Sequence, residues 1–350
     1  MNRKLVNDSS DDNDHTSSSS SSSSSPSTTE ADSIRMCIEK SNKRSRRRRY
    51  WRLTLLFSAL LLGVLIYFQP NVIVRAISNH FQGEVVFYVD GRDEVARRKL
   101  VTLTIDDAPS PDTMDILDIL AEYDVKATFF LIGKHVMRKR SNQNILDRML
   151  DQGHELGNHM WQDEPSITLE SKEFERQLIH VDQIINRTYT RYYERYNQSI
   201  SSTSTSTSTT SSQQHQDNDN NNNILYTQGN SFNVRRRKLF RPGSGFFNRH
   251  MLDTIGKHGY QLCLGNVYPH DPFIRLPSVN SWYVTATISP GSVIILHDRT
   301  YTMPALRTML PQLIAEGYQF VTLSQLLDID EQIEKRQQQQ QHQHHHRTSE

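Results

Sequence analysis

The amino-acid sequence predicts an α/β fold in which a largely parallel sheet closes into a distorted barrel. Short apolar, β-branched runs alternate with segments of helical periodicity between residues 85 and 330, which is typical of parallel sheets covered by helices. Several runs end at ionisable residues: Val101–Ile105 stops at Asp106, and Val293–Leu296 stops at His297. Functional side chains at the carboxyl ends of strands are typical of barrels whose active site lies at one end.

The individual elements are predicted from the spacing of their apolar residues. The expected strands are 84–89, 101–105, 126–132, 155–157, 238–240, 260–264, 293–296 and 319–323. The expected helices are 112–123, 144–152, 169–193, 247–258 and 303–316. Glycine follows several of these helices, as at Gly153 and Gly259, and glycine after the last turn favours a helix end.

Three segments are too polar to contribute to a core. They are a serine-rich, basic tail (1–49), a low-complexity insert (197–236) and a tail rich in glutamine and histidine (331–350). Such segments bury too little apolar surface to offset the entropy of ordering, so we expect disorder there. The net charge of +1 is a balance of unlike regions and by itself says nothing about nucleic acid. No recognisable nucleic-acid-binding motif accompanies the basic residues, so we expect no nucleic-acid partner.

The apolar run Leu53–Phe68 contains no charged residue. With Tyr50 and Trp51 as interfacial aromatic residues, residues 50–74 approach the ~20 residues that a bilayer-spanning helix needs. Arg46–Arg49 precede the run, which predicts a cytosolic N-terminus by the positive-inside rule. We therefore expect an uncleaved signal anchor and a single-pass type II membrane protein, with the following domain lumenal or extracellular. A cleaved signal peptide fits less well, because the charged leader is long.

The two cysteines would lie on opposite sides of this anchor and so could not pair. Cys37 would be cytosolic, whereas Cys263 stands in an apolar stretch that favours a buried thiol. The sequences Asn186-Arg187-Thr188 and Asn197-Gln198-Ser199 are glycosylation acceptors, and both fall on the predicted lumenal side.

A metal site is predicted from three further residues. Asp107, His159 and Asp163 offer two carboxylates and one imidazole, and His159 and Asp163 are four residues apart, which places them on one side of a helical turn. Three protein ligands leave a position for a water whose pKa falls to about 7. The alternative is a solvated loop histidine beside unrelated acidic residues.

The strand-end motifs resemble those of the polysaccharide deacetylase domain, which is NodB-like and belongs to carbohydrate esterase family 4. The segments that carry the resemblance are Asp106-Asp107-Ala108-Pro109, Gly157-Asn158-His159, Arg241-Pro242-Gly243 and Leu296-His297-Asp298. It covers roughly residues 85–330 with one large interruption. The resemblance implies a distorted (β/α) barrel. It also implies a helix at 282–288, where the β-branched residues alone favour a strand.

The resemblance also implies roles for single residues. Asp106 would be the general base and Arg241 the residue that orients it. His297 would protonate the leaving amine, and Leu296 would line the pocket for the acetyl methyl group. Asp271 would polarise His297, although Pro272 stands where the family has tryptophan, and His270 could compete for either role.

Two departures from the family pattern affect the chemistry. Asp163 stands where the family has a second histidine ligand, and a carboxylate shifts the metal preference from zinc toward manganese or iron. Gly243-Ser244 replaces the usual Pro-Tyr, so the oxyanion donor would be the backbone N–H of Ser244, with Gly243 beside it at the substrate.

These features predict a metal-dependent hydrolase that removes N-acetyl groups from a polysaccharide containing N-acetylglucosamine, such as chitin. The cofactor would be a divalent metal, with zinc expected and manganese, iron or cobalt as alternatives. The alternative function is a catalytically weak or inactive carbohydrate-binding relative. An amidase that acts on a non-sugar substrate is a third hypothesis, because the fold alone does not define the acyl donor.

Overall fold

The computed structural model describes residues 28–68, 71–81, 83–205 and 235–348. The chain divides into two compact units, Met1–Val64 and Leu65–Glu350. Helix α1 spans Thr28–Phe68, so the prediction of disorder was wrong for residues 28–49. The reason is local propensity: this stretch is rich in Glu, Lys and Arg, which favour helices without needing a core. Residues 1–27 of the predicted tail lie outside the described residues.

The structure does not support the predicted membrane anchor. In the described part of the chain, no helix combines the length and the apolar character that crossing a bilayer requires. The uncharged part of α1 is confined to Leu53–Phe68. At about 1.5 Å per residue, this part is shorter than a hydrocarbon core of about 30 Å.

The remaining elements alternate between strands and helices. The strands are β1 (Val85–Val86), β2 (Leu100–Ala108), β3 (Ala127–Leu131), β4 (Glu155–Asn158), β5 (Lys238–Phe240), β6 (Tyr260–Cys263), β7 (Val293–His297) and β8 (Gln319–Phe320). The helices are α2 (Asn71–Phe81), α3 (Asp93–Arg97), α4 (Thr113–Glu122), α5 (Gly133–Arg138), α6 (Asn142–Asp151), α7 (Ser171–Thr205), α8 (Arg249–Lys257), α9 (Pro277–Thr287), α10 (Thr302–Ala315) and α11 (Leu323–Thr348).

The sheet has the strand order β1-β6-β5-β4-β3-β2-β7, with β8 beside β2. Its ladders are parallel throughout the described residues. The two ends of the sheet meet through single bridges: Val267 pairs with Ile294, and Tyr88 pairs with Ser292. Because isolated bridges replace a regular ladder at this seam, the barrel is distorted. The α/β part of the predicted fold class, a parallel barrel-like sheet covered by helices, is confirmed.

Strand β2, which pairs with β3, β7 and β8, is buried along its whole length, as expected for a strand with packed layers on both faces. Helices α4, α6 and α10 contribute to the core cluster that includes Leu103 and Phe129. The strands and long helices lie within a few residues of their predicted bounds, α7 excepted. Segment 282–288 falls almost wholly in helix α9, as the family resemblance implied. Helices α2, α3 and α5 were not predicted as separate elements.

The low-complexity segments are only partly described. Helix α7 continues to Thr205, into the predicted insert, and residues 206–234 lie outside the described residues. Helix α11 continues through the tail rich in glutamine and histidine to Thr348. Glutamine is a good helix former, so disorder was the wrong expectation for that tail as far as residue 348.

Candidate active site

Four parallel strands deliver the candidate residues to one end of the barrel. Asp106 and Asp107 lie near the carboxyl end of β2, and His297 ends β7. His159 directly follows β4, and Arg241 directly follows β5. The register of β2 and β7 pairs Asp106 with His297. The structure therefore brings these five residues to the same end of the sheet.

Arg241 fixes the orientation of Asp106. One guanidinium nitrogen donates to Asp106 Oδ1 at 2.6 Å and to Thr104 Oγ1 at 2.7 Å. The other two nitrogens donate to the carbonyl oxygens of Cys263 at 3.0 Å and Leu264 at 3.1 Å. Arg241 is 2% exposed and Asp106 is 3% exposed. The guanidinium is thus held at every nitrogen, and it leaves Asp106 Oδ2 available for another partner.

His159 faces both aspartates. Its Nδ1 lies 2.7 Å from the carbonyl oxygen of Arg241, which can only accept, so Nδ1 carries the hydrogen. Its Nε2 is then directed toward the carboxylates, 3.4 Å from Asp107 Oδ1 and 3.9 Å from Asp106 Oδ2. Burial lowers the pKa of His159, but the charges of Asp106 and Asp107 outweigh it and raise that pKa.

Consecutive strand residues normally point to opposite faces, yet both aspartates approach one imidazole. The cause lies at the end of β2, where the register with β3 shifts between Ile105 and Ala108. Asp107 also adopts a φ of 67°, a left-handed conformation that aspartate tolerates better than most residues. Burial raises the pKa of Asp107, but its hydrogen bond to His159 and the surrounding positive charges lower it far below its usual range.

His297 and Asp271 form a tightly held pair. Nδ1 of His297 lies 2.9 Å from Asp271 Oδ1, and the backbone N–H of His297 donates to Asp271 Oδ2 at 2.9 Å. Asp271 is fully buried. Burial lowers the pKa of His297, but the charge and hydrogen bond of Asp271 raise it to about 9. His270 packs instead against Tyr67, with ring centroids 5.5 Å apart, so it does not take either role.

Asp163 does not join Asp107 and His159. Its side chain is 62% exposed, and its Oδ2 lies 3.9 Å from a guanidinium nitrogen of Arg299. The same nitrogen donates to Asp107 Oδ2 at 2.6 Å, so Arg299 lies between the two carboxylates. The predicted helical turn does not form after His159, because Met160 has a φ of 69° and residues 161–164 are bends.

Asp107 and His159 offer two of the ligands that a metal ion would need. The separation of 3.4 Å between Asp107 Oδ1 and His159 Nε2 suits two ligands that each lie about 2.1 Å from one ion. A third protein ligand is missing: among the described residues, no three His, Cys, Asp or Glu side chains are grouped to hold a metal ion. The arrangement therefore does not fit the predicted three-ligand site.

The predicted substrate-binding residues have distinct surroundings. Leu296 is buried in β7, where it pairs with Ile105. The N–H of Gly243 donates to Ser166 Oγ at 2.8 Å, and a Cβ at Gly243 would lie 2.1 Å from the carbonyl oxygen of Glu164. Ser244 is exposed, with a φ of 66°, in the tight turn that follows. Its role as an oxyanion donor stays a prediction.

The predicted glycosylation acceptors both lie in helix α7. Asn186 is exposed, and its amide donates to Asp182 Oδ2 at 3.1 Å. Asn197 is also exposed.

Sequence reasoning missed Arg299 and the role of Asp298. Asp298 is fully buried and accepts hydrogen bonds from Ser110 and Thr113, so it holds the loop that follows Asp107. Their position in the sequence could have indicated a role, because both residues directly follow His297 at the end of β7.

Comparison with known proteins places the domain in a family. The polysaccharide deacetylase family model matches residues 93–263. A peptidoglycan-N-acetylglucosamine deacetylase from Bacillus cereus is 29% identical over 236 residues, which cover 65% of this chain and 88% of the relative. This chain carries a NodB-like polysaccharide deacetylase domain of carbohydrate esterase family 4.

Other relatives of the deacetylase domain differ in what they do. A chitooligosaccharide deacetylase from Sinorhizobium fredii is 25% identical over 242 residues, 64% of this chain and 90% of the relative. A mutant of a family 4 pseudoenzyme with restored enzymatic activity is 25% identical, with a TM-score of 0.50 over 69% of this chain and 71% of that structure. The wild-type pseudoenzyme comes from Bacillus anthracis. Active and inactive proteins therefore share this fold.

Proposed function

We propose that the domain is a hydrolase that removes N-acetyl groups from a polysaccharide containing N-acetylglucosamine, such as chitin. The observation that carries the proposal is the pairing of Asp106 with His297 across β2 and β7. Each is held by a buried partner of opposite charge, Arg241 for Asp106 and Asp271 for His297. Hydrolysis of an amide needs a proton acceptor for the attacking water and a proton donor for the leaving nitrogen.

Asp106 supplies the acceptor in this proposal. Arg241 bonds only Oδ1 of its carboxylate, so Oδ2 is free to take a proton from water. Buried groups that cannot reorient act without reorganisation during the reaction.

His297 supplies the donor. Its Nδ1 is committed to Asp271, which leaves Nε2 as the nitrogen that meets the substrate. With a pKa of about 9, the imidazolium is the main form at neutral pH, and it can protonate the leaving amine. The Asp271 carboxylate stabilises the charged form, as a positioning residue does in other acid–base pairs.

Family 4 deacetylases generally depend on a divalent metal. Asp107 and His159 are the two residues of this chain that would contact such an ion, whether zinc, manganese, iron or cobalt, and a bound ion would act there as a Lewis acid. Because the set lacks a third ligand, the proposed acid–base roles rest on Asp106 and His297 alone.

The test uses the purified full chain with a panel of acetylated substrates. Incubation with acetylated chitooligosaccharides and with peptidoglycan is expected to release acetate, and the polymer that reacts faster identifies the substrate class. Asp115→Asn, at an exposed position of α4, serves as a control and is expected to keep full activity. Failure to release acetate from any acetylated sugar, with and without added zinc, manganese, iron or cobalt, would contradict the proposal.

A second candidate function is carbohydrate binding without turnover. It is favoured by the contact of Arg299 with Asp107 and by the exposure of Asp163. Isothermal titration separates the two candidates, because a binding protein would retain affinity for acetylated oligomers while no acetate accumulates.

We further propose that the domain works in the secretory lumen or outside the cell. The polysaccharide substrates of its relatives and the exposed acceptor Asn186 support this location. Enzymatic removal of N-glycans from the protein isolated from its native cells is expected to increase its electrophoretic mobility. Asn186→Gln and Asn197→Gln together would abolish that shift, whereas an unglycosylated native protein would count against the location.

A further inference from the structure

We propose that Arg299 competes with divalent cations for Asp107, so that this chain binds such ions weakly as long as the guanidinium is present. The inference goes beyond the proposed function, because it concerns ion binding in the absence of substrate.

The two oxygens of Asp107 have different partners. Oδ1 faces His159 Nε2 at 3.4 Å, and Oδ2 accepts a hydrogen bond from Arg299 at 2.6 Å. The carboxylate that would anchor an ion is therefore already paired with a permanent positive charge. Arginine does not lose its charge in proteins, so the guanidinium stays positively charged at every pH at which the protein is folded.

The guanidinium is held in place by more than Asp107. Its other terminal nitrogen donates to the backbone carbonyl of Asp298 at 3.0 Å. The side chain of Asp298 is buried and bonded to Ser110 and Thr113, so the backbone that carries Arg299 is anchored on the loop after β2. The Arg299 side chain is 35% exposed, so it is partly accessible to solvent beside the buried Asp107.

A divalent ion between Asp107 and His159 would be separated from this guanidinium only by the carboxylate group of Asp107. Like charges at that range repel strongly, because Asp107 and His159 are almost fully buried and little water screens them. Arg299 also stands between Asp107 and Asp163, with Asp163 Oδ2 3.9 Å from its guanidinium. The Arg299 guanidinium would thus repel the ion, and it also keeps the Asp163 carboxylate, which could serve as a third ligand, away from Asp107 and His159.

The experiment titrates Co²⁺ and Zn²⁺ into the full chain without substrate, followed by calorimetry and by the visible absorption of bound Co²⁺. Arg299→Met keeps the length of the side chain and removes its charge, and it is expected to bind Co²⁺ at least about tenfold more tightly than the wild type. Arg299→Lys keeps the charge and is expected to remain close to the wild type.

The histidines near the C-terminus, His342 and His344–His346, could bind the same ions, so each titration has a matched background. Asp107→Asn is introduced into both the wild type and the Arg299→Met variant. The gain from Arg299→Met is expected to vanish in the Asp107→Asn background, which is the coupling that a shared site requires.

Equal affinity of the wild type and Arg299→Met for both ions would overturn the proposal. A gain that survives Asp107→Asn would overturn it as well, because the ion would then bind elsewhere. If Arg299→Met does not fold, judged by circular dichroism, Arg299→Gln is used with the same expectations. This test does not measure acetate release. If the proposed deacetylase activity proves wrong, the ratio of the ion affinities of Arg299→Met and the wild type can therefore still be measured and interpreted.

Discussion

The pair of Asp271 and His297 gives the most quantitative prediction for this domain. Asp271→Asn keeps the size of the side chain and removes its charge. The pKa of His297 stands at about 9, compared with an ordinary value of 6.5. At about 1.4 kcal/mol per pKa unit, the folded environment stabilises the imidazolium by about 3 kcal/mol. Burial opposes the charged form, and Asp271 is the main group that outweighs burial, so Asp271→Asn is expected to lower this pKa by at least about one unit.

The assay follows the ring carbon of His297 by NMR with labelled histidine, and the signal is assigned by its loss in His297→Gln. Asp298→Asn is the control, because Asp298 is equally buried but bonds Ser110 and Thr113. A pKa for His297 that is the same in the wild type and in Asp271→Asn would refute the assignment of Asp271 as the residue that stabilises the imidazolium.

The same shift predicts a pH dependence of stability. The pKa of His297 is raised in the folded state, so its contribution is fully present below pH 6.5 and is lost as the pH rises through about 9. The free energy of unfolding of the wild type is therefore expected to exceed that of Asp271→Asn most at pH 6. The difference should shrink steadily up to pH 9, and urea denaturation at several pH values measures it. A difference that grows with pH would contradict the sign.

Two further predictions concern stability. Arg241→Met leaves Asp106 as a buried charge without its partner, which is expected to cost about 3–5 kcal/mol in the free energy of unfolding. Urea denaturation measures this loss, and a cost below about 1 kcal/mol would show that the pair is exposed to solvent. Gly243→Ala forces a Cβ against the carbonyl oxygen of Glu164 and is expected to cost about 1–3 kcal/mol in the free energy of unfolding. Gly256→Ala is expected to be neutral or stabilising, because nothing lies within 4 Å of the new Cβ, and urea denaturation compares the two variants.

Much of the barrel could be predicted from local sequence, because a buried parallel strand is a continuous apolar run. Strand β5 has its predicted bounds, Lys238–Phe240, and β2 extends its prediction by a few residues. The helical part of residues 28–49 was missed, because an apolar count does not register charged helix formers. Segment 282–288 has β-branched residues, and only the family resemblance indicated the helix α9.

The site was less accessible to sequence reasoning, because it depends on contacts between distant residues. Asp271 was found through the resemblance alone, since 26 residues separate it from His297. Asp163 was assigned by assuming a helical turn, which the left-handed conformation of Met160 prevents. Arg299 and Asp107 are 192 residues apart, and no local pattern indicates that they touch.

The most direct test of the proposed chemistry is the rate of acetate release from an acetylated chitooligosaccharide by the full chain and by Asp106→Asn. The carboxamide keeps the shape of the side chain but cannot accept the proton from water. The rate for Asp106→Asn is expected to be lower by about 10²-fold or more, measured on protein that circular dichroism shows to be folded, because the substitution also weakens the buried pair with Arg241. Equal rates for the two proteins would contradict the role of Asp106 as the base.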